Sequence, residues 1–191
     1  GWLFQTISYI AAITQDPNGV YDAPHMQHAD KGFDGLKLEI DAIDGGVVAV
    51  IIFEDKATSN PRRTIADKKG SKGKKIAVWD EFKDIEAGNR QPLLTDKVSS
   101  LLQTVPGIDI DEAIENIIWK KTQRYRVSIT VGTTHSNAGG RKRLFKGYED
   151  IVDGDLKRRR SETLHLENLR DWLDDLAELA KAQVLQVSAN V

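Results

Sequence analysis

Asp34, Glu54 and Lys56 are the residues of this chain whose types and spacing could do chemistry. They sit in two short segments separated by a turn. The first, Phe33-Asp34-Gly35-Leu36-Lys37-Leu38-Glu39-Ile40-Asp41-Ala42-Ile43, alternates apolar and polar residues, as a half-buried strand does. The second, Val47-Val48-Ala49-Val50-Ile51-Ile52-Phe53, is continuously apolar, as a strand covered on both faces would be, and it runs out into Glu54-Asp55-Lys56. Asp44-Gly45-Gly46 between them is hairpin chemistry, because glycine reaches positive φ without a steric penalty. With Ile43 facing Val47, paired residue numbers sum to 90, so that Asp34 faces Lys56 and Glu54 lies one pair further in. Residues two apart share a face, so all three charges gather at one end of the hairpin. Two carboxylates and an ammonium there outline a metal-dependent hydrolytic site. The plainer alternative is a set of solvated charges where a buried strand leaves the core.

The rest of the chain supplies the elements that must position this hairpin. A helix is expected over 2–14, with Leu3, Ile7, Ile10 and Ala11 on one face, ending at Asp16-Pro17-Asn18-Gly19. Residues 17–32 read as loop. After the hairpin, 59–75 reads as an exposed basic loop, and 76–86 as an amphipathic helix with Ile76, Val78 or Trp79, Phe82 and Ile85 inward. A helix over 95–103 takes Thr95 as its N-cap, and one over 111–121 has its acidic residues first and its basic ones last, as the helix dipole prefers. Residues 124–131 alternate as a strand, with Tyr125, Val127, Ile129 and Val131 opposite Arg124, Arg126, Ser128 and Thr130. A basic loop over 133–146 follows. The longest helix is expected over 164–184, with Leu169, Trp172, Leu173, Leu176, Leu179 and Ala180 as its buried stripe. Trp79, Trp119 and Trp172 fall within expected helices as core residues, while Asp171, Asp174, Asp175 and Glu178 form the solvated side of the last one. This order predicts an α/β domain with a central mixed sheet flanked by helices. A single domain over 1–191 is expected, its core at about 2–131 and the remainder a basic loop and helical extension packed on that core.

Composition narrows the classes. The 191 residues carry a net charge of −2, 40% hydrophobic and 29% charged residues, all ordinary for a soluble globular protein. No apolar run approaches the roughly 20 residues that span a bilayer, so no membrane partner is expected. Zero cysteines exclude disulfides and thiolate metal sites, and fit a cytoplasmic location without a secretory signal.

The positive charge is segregated. Seven Lys or Arg fall within 62–75, among them Arg62, Arg63, Lys68 and Lys69. A second cluster holds Arg141, Lys142, Arg143 and Lys146, and a third Lys157, Arg158, Arg159 and Arg160. Such clustering is the footprint of a nucleic-acid binder, whose phosphate contacts give affinity but little sequence information; solvated loops are the alternative. His25, His28 and Asp30 lack the fourth ligand of a zinc site and read as polar loop bordering the active end. His135, just after the 124–131 strand, is placed to approach a phosphate or is incidental. Neither a P-loop nor a Gly-x-Ser-x-Gly elbow occurs.

An Asp, a spacer that closes as a hairpin, then Glu-x-Lys ending an apolar strand resembles the PD-(D/E)XK nuclease superfamily, whose fold is restriction-endonuclease-like. The motif stands here as Phe33-Asp34-Gly35 and Glu54-Asp55-Lys56, and with the helix before it and the αβ unit after it the likeness covers about residues 2–131. The resemblance implies that Asp34, Glu54 and the backbone carbonyl of Asp55 hold Mg²⁺ or Mn²⁺, hard ions that favour oxygen ligands. It implies that the ion activates water and offsets charge on the phosphate, and that Lys56 orients the water or stabilises the developing charge. Asp55, one residue out of phase with Glu54, is expected to point its side chain to the other face. The leading helix has no Glu, where many members place a further carboxylate; Gln5 is its only long polar residue before Gln15. The implied activity is phosphodiester hydrolysis, in DNA rather than RNA, as an antiviral restriction or anti-phage defence endonuclease acting as a homo-oligomer or a subunit of a defence complex. A non-catalytic nucleic-acid-binding or assembly domain that keeps the fold is the alternative.

Overall fold

The computed structural model describes residues 2–24, 32–41, 45–66, 77–119 and 122–189. The chain is an α/β protein built on one open five-stranded mixed sheet. Its elements run α1 (Trp2–Gln15), β1 (Val20–Asp22), β2 (Gly35–Ile40), β3 (Val47–Lys56), α2 (Pro61–Ala66), α3 (Val78–Glu86), α4 (Gln91–Leu102), α5 (Ile110–Trp119), β4 (Gln123–Val131), α6 (Ala138–Leu144), β5 (Arg159–His165) and α7 (Leu169–Ser188). The strands lie in sequence order; β1, β2 and β3 are antiparallel neighbours, while β3, β4 and β5 are parallel. The parallel strands are joined by crossovers that carry α2–α5 and α6.

Strand periodicity gives the sheet two different faces. Leu36, Leu38, Val50, Ile52, Tyr125, Val127 and Ile129 are fully buried on one face, packed with Val78, Trp79, Phe82 and Ile85 of α3, Leu94, Val98 and Leu102 of α4, and Ile117 of α5. These helices form because their apolar residues recur three and four apart. The other face is polar and carries α1. Arg126 stacks over Phe53 with its guanidinium carbon 4.6 Å from the ring centroid, and lies 3.5 Å from Asp55 while also pairing with Glu162 of β5. Lys37 pairs with Asp16, Arg124 with Glu39, and Arg160 with Glu162 on that side. The two-sided cover expected for β3 is present where it matters, since Ile52, Phe53, Glu54 and Asp55 are all buried.

Several expectations need correction. The hairpin register sums to 88 rather than 90, with Gly35 opposite Phe53 and Leu38 opposite Val50, and it shifts at Glu39/Ile40 through a bulge. Over Gly35–Glu39 the slip is by an even number, so those side chains and their partners keep the faces assigned to them. Residues 17–32 contain β1, whose three residues are too few for a periodic signal. The helix expected from Thr95 begins at Gln91, with proline in its first turn, so Thr95 is no cap. The loop expected over 133–146 is a 3-10 turn at Thr133–His135 followed by α6, which Asn137 caps by accepting from the Gly140 amide at 2.8 Å. Residues 159–165 form β5 rather than the lead into the last helix, which starts only at Leu169. No residue of α7 is buried, so its predicted core stripe is half-buried at Leu169, Trp172, Leu173 and Leu176 and exposed at Leu179 and Ala180. Ile43, Ile76, Lys120 and Lys121 lie outside the described residues, as does the side chain of Trp119. No helix among the described residues is long and apolar enough to cross a membrane.

One close approach fixes how α6 sits. A Cβ on Gly140 would meet the Thr134 carbonyl oxygen and lie 2.8 Å from the His135 Cα, so only glycine lets α6 close on the turn after β4. Gly140→Ala is therefore expected to lower stability by about 1–3 kcal/mol, the usual cost of overpacking, measurable as a lower urea midpoint with an unchanged slope.

Candidate functional site

The three charges singled out in the sequence meet at the end of β3, on the α3 side of the sheet. Lys56 Nζ lies 2.7 Å from Asp34 Oδ2 and 2.6 Å from Glu54 Oε2. Glu54 and Lys56 share a face because they are two apart on β3, and Asp34 arrives from the residue just before β2. The observed register carries Asp34 opposite Glu54 rather than Lys56, and the long lysine side chain then reaches back between the two carboxylates. The Asp55 amide donates to Asp34 Oδ2 at 2.8 Å, which ties the motif backbone directly to the first carboxylate.

Two further residues complete the cluster. Gln5 of α1 donates from Nε2 to Asp34 Oδ1 at 2.6 Å, so the helix that lacks a glutamate still presents an amide to the site. Glu81 of α3 places Oε2 4.0 Å from Lys56 Nζ, and its carboxylate adds to the negative charge around Glu54. The sequence held a signal for it: Val78, Trp79, Phe82 and Ile85 mark the inward face of α3, and Glu81 follows Val78 by three positions at its border. Asp55 points to the opposite side of the strand, as expected. Ser8 of α1 donates to its Oδ1 at 2.8 Å, and Arg126 stands beside it. Gln5 and Ser8 are three apart on α1, so one helical face steadies both Asp34 and Asp55.

Burial sets the electrostatics. Glu54 is 1% exposed, and its Oε2 meets Lys56 as an ion pair while accepting no hydrogen bond. Burial pushes the Glu54 carboxyl well above its ordinary range; Lys56 opposes this, and the nearby Asp34 and Glu81 carboxylates add to it. For Lys56, burial disfavours the ammonium, but Glu54, Asp34 and Glu81 outweigh it and hold the side chain protonated far above its ordinary range. Burial also pushes Asp55 up to about 7, against the pull of Arg126 and the Ser8 hydrogen bond. The site is thus a set of carboxylates held close by one cation.

That arrangement fits a hard divalent ion. Asp34 and Glu54 converge on a single cationic centre, and the buried Glu54 Oε2 has acceptor capacity that no hydrogen bond uses. The Asp55 peptide adjoins Asp34, although its carbonyl is assigned to the ion only by the family resemblance. Among the described residues no group of three or more His, Asp or Glu side chains forms a ready-made metal cage. The donor set is therefore two carboxylates, the number with which Mg²⁺ is usually held alongside water and phosphate.

The expected basic contacts divide. Arg62 donates to the backbone carbonyls of Leu144 and Lys146, at 2.7 and 3.2 Å, which joins α2 to α6. Arg63 lies on the exposed side of α2. Arg141, Lys142 and Arg143 are exposed on α6, with Arg141 donating to the Ser136 carbonyl. Lys68 and Lys69 lie outside the described residues, as do His25, His28 and Asp30. The third cluster is mostly internal wiring. Arg158 pairs with Glu86 and Asp153, Arg159 donates to the Val152 carbonyl, and Arg160 pairs with Glu162. Comparison with protein-family models, with curated proteins and with solved structures finds no match.

Removing the shared cation leaves buried carboxylates facing each other. Lys56→Met should therefore destabilise the protein by about 3 kcal/mol, as breaking a buried pair does, whereas Glu54→Gln, which removes the most buried charge, should raise the melting temperature. A melt series on the two variants checks this, and opposite signs are the expected result.

Proposed function

We propose that this chain is a divalent-metal-dependent nuclease of the PD-(D/E)XK kind, hydrolysing phosphodiester bonds in DNA as part of restriction or anti-phage defence. The observation that carries the chemistry is the convergence of Asp34 Oδ2 and Glu54 Oε2 on Lys56 Nζ, at 2.7 and 2.6 Å, at the end of an apolar strand. Strand-end charges that were merely solvated caps would not be gathered this way, with Glu54 withdrawn from water. The preference for DNA and the defence role rest on the family resemblance.

Asp34 and Glu54 would hold Mg²⁺ or Mn²⁺, which supplies a Lewis acid at the phosphate and activates water for attack. The chain's own groups do the remaining work. Gln5 and the Asp55 amide fix both oxygens of Asp34, so its carboxylate is oriented in advance. Glu54 is aimed by its burial under α3 and by Glu81. Lys56 stays protonated, so it acts as an electrostatic group rather than a general base; its ammonium is available to negative charge that builds on the phosphate oxygens. Exposed Arg63, Arg141, Lys142 and Arg143 add cations that favour a polyanionic substrate.

Two measurements test the proposal. Mg²⁺ or Mn²⁺ should raise the melting temperature of the parent chain, by the equivalent of about 2.7 kcal/mol at a hundredfold excess over Kd, and Asp34→Ala should abolish that rise. Incubation of plasmid or oligonucleotide DNA with either ion should give cleavage that EDTA stops and that Asp34→Ala, Glu54→Ala and Lys56→Ala each reduce at least about a hundredfold. Cleavage that survives all three substitutions would overturn the assignment.

A further inference from the structure

We infer that the groove between α2 and the turn carrying His135 is a second anion site, which grips a non-scissile phosphate of the nucleic-acid strand beside the Lys56 centre. It rests on the nuclease assignment above and adds where the strand is held. The groove has a volume of about 480 Å³ and is lined by Ser59, Asn60, Arg62, Arg63 and His135 together with small apolar surface. Among the described residues its lining offers guanidinium, imidazole, amide and hydroxyl groups and includes no carboxylate, a chemistry suited to an anion.

Its place in the fold points to the same strand that the candidate site would cut. Ser59 and Asn60 belong to the chain leaving β3, immediately past Lys56, and His135 belongs to the turn leaving β4. These strands are parallel neighbours, so both exits lie at one end of the sheet, where open α/β sheets bind ligands. Ser59 is three residues beyond Lys56, at most about 10 Å of extended chain. The gripped phosphate therefore lies on the strand near the one being cut.

The walls of the groove are held in advance of any ligand. The Thr58 amide donates to Thr130 Oγ1 at 2.8 Å, and that hydroxyl donates back to the Thr58 carbonyl at 2.9 Å, which clamps the β3 exit to β4. Thr58 Oγ1 in turn contacts the Asn60 amide and the Thr64 hydroxyl, at 3.1 and 3.0 Å, so the entry to α2 is fixed as well. On the other wall, α6 seats the His135 turn through the close approach at Gly140, and Arg62 fastens α2 to α6. Arg62 is therefore a positioning residue; Arg63 and His135 line the same groove and carry the proposed phosphate contact. Such a contact sets the register of the strand and reads no bases.

The test uses the full chain carrying Asp34→Asn, so that DNA is bound and left intact, and a fluorescent single-stranded or duplex 12-mer titrated at several salt concentrations. Adding Arg63→Gln with His135→Ala should weaken binding about tenfold and lower the salt slope by one to two units, since each lost phosphate contact removes about 0.9. In the cleaving parent the same pair should raise KM and spare kcat. Unchanged affinity and slope in the double variant would overturn the inference while leaving the nuclease assignment in place. Weakened binding in a chain whose parent cleaves nothing would support the anion site and sink the nuclease assignment instead. If the double variant loses its cooperative melt, Arg63→Gln and His135→Asn singly carry the same expectation at about threefold each. Inorganic phosphate at millimolar concentration should compete with the 12-mer in the parent and fail to do so in the variants; equal competition in both would count against the site.

Discussion

One ammonium shared by two carboxylates organises this protein. Lys56 Nζ bridges Asp34 and Glu54, and each partner is delivered by a different part of the fold: the start of β2, the end of β3, and through Gln5 and Glu81 the flanking helices α1 and α3. Bringing like charges together below the surface is unfavourable unless a cation sits among them. The hairpin register, the seating of α1 and the seating of α3 all have to agree for that cation to reach both carboxylates. The cluster is thus a constraint on the whole sheet end as well as a site. The raised affinity of Glu54 for its proton and of Lys56 for its own are two sides of the same confinement.

The two faces of the sheet divide the labour. One face is an apolar core shared with α3, α4 and α5, and it supplies the rigidity that holds Glu54 in place. The other face is held by charge, with Arg126 between Asp55 and Glu162, stacked on Phe53, beneath α1. Asp55 links the two. Its backbone amide serves Asp34 on the site side, while its side chain joins Ser8 and Arg126 on the polar side. A single motif of three residues therefore couples the charge cluster on one face to the anchoring of α1 on the other.

Much of this was legible in the sequence where the signal is periodic and local. The alternation of 33–41, the unbroken apolar run of β3 and the inward stripe of α3 all correspond to observed elements. The exact register was not legible, because the bulge at Glu39/Ile40, which offsets the pairing by one residue, has no residue signature. Nor was β5, whose Arg-Arg-Ser-Glu-Thr stretch is polar on both sides and becomes a strand through pairing with β4. The stripe of α7 misled in the opposite direction: helical periodicity specifies which residues share a face, and leaves open whether another surface covers it. Basic clusters carry the same ambiguity. Arg158, Arg159 and Arg160 satisfy internal acceptors, while Arg141 to Arg143 remain at the surface, and both runs look alike as letters.

By itself the sequence determined which charges gather at the end of β3 and that they share a face, since period-two geometry along a strand follows from the backbone alone. It also determined that Asp55 turns away from them. What only the tertiary structure decided is the company those charges keep. Gln5 and Glu81 lie far from the motif along the chain and come to it only when α1 and α3 pack on opposite sides of the sheet. The groove beside His135 likewise depends on the exits of β3 and β4 meeting at one end. Such contacts arise from packing between distant segments, and no local propensity encodes them.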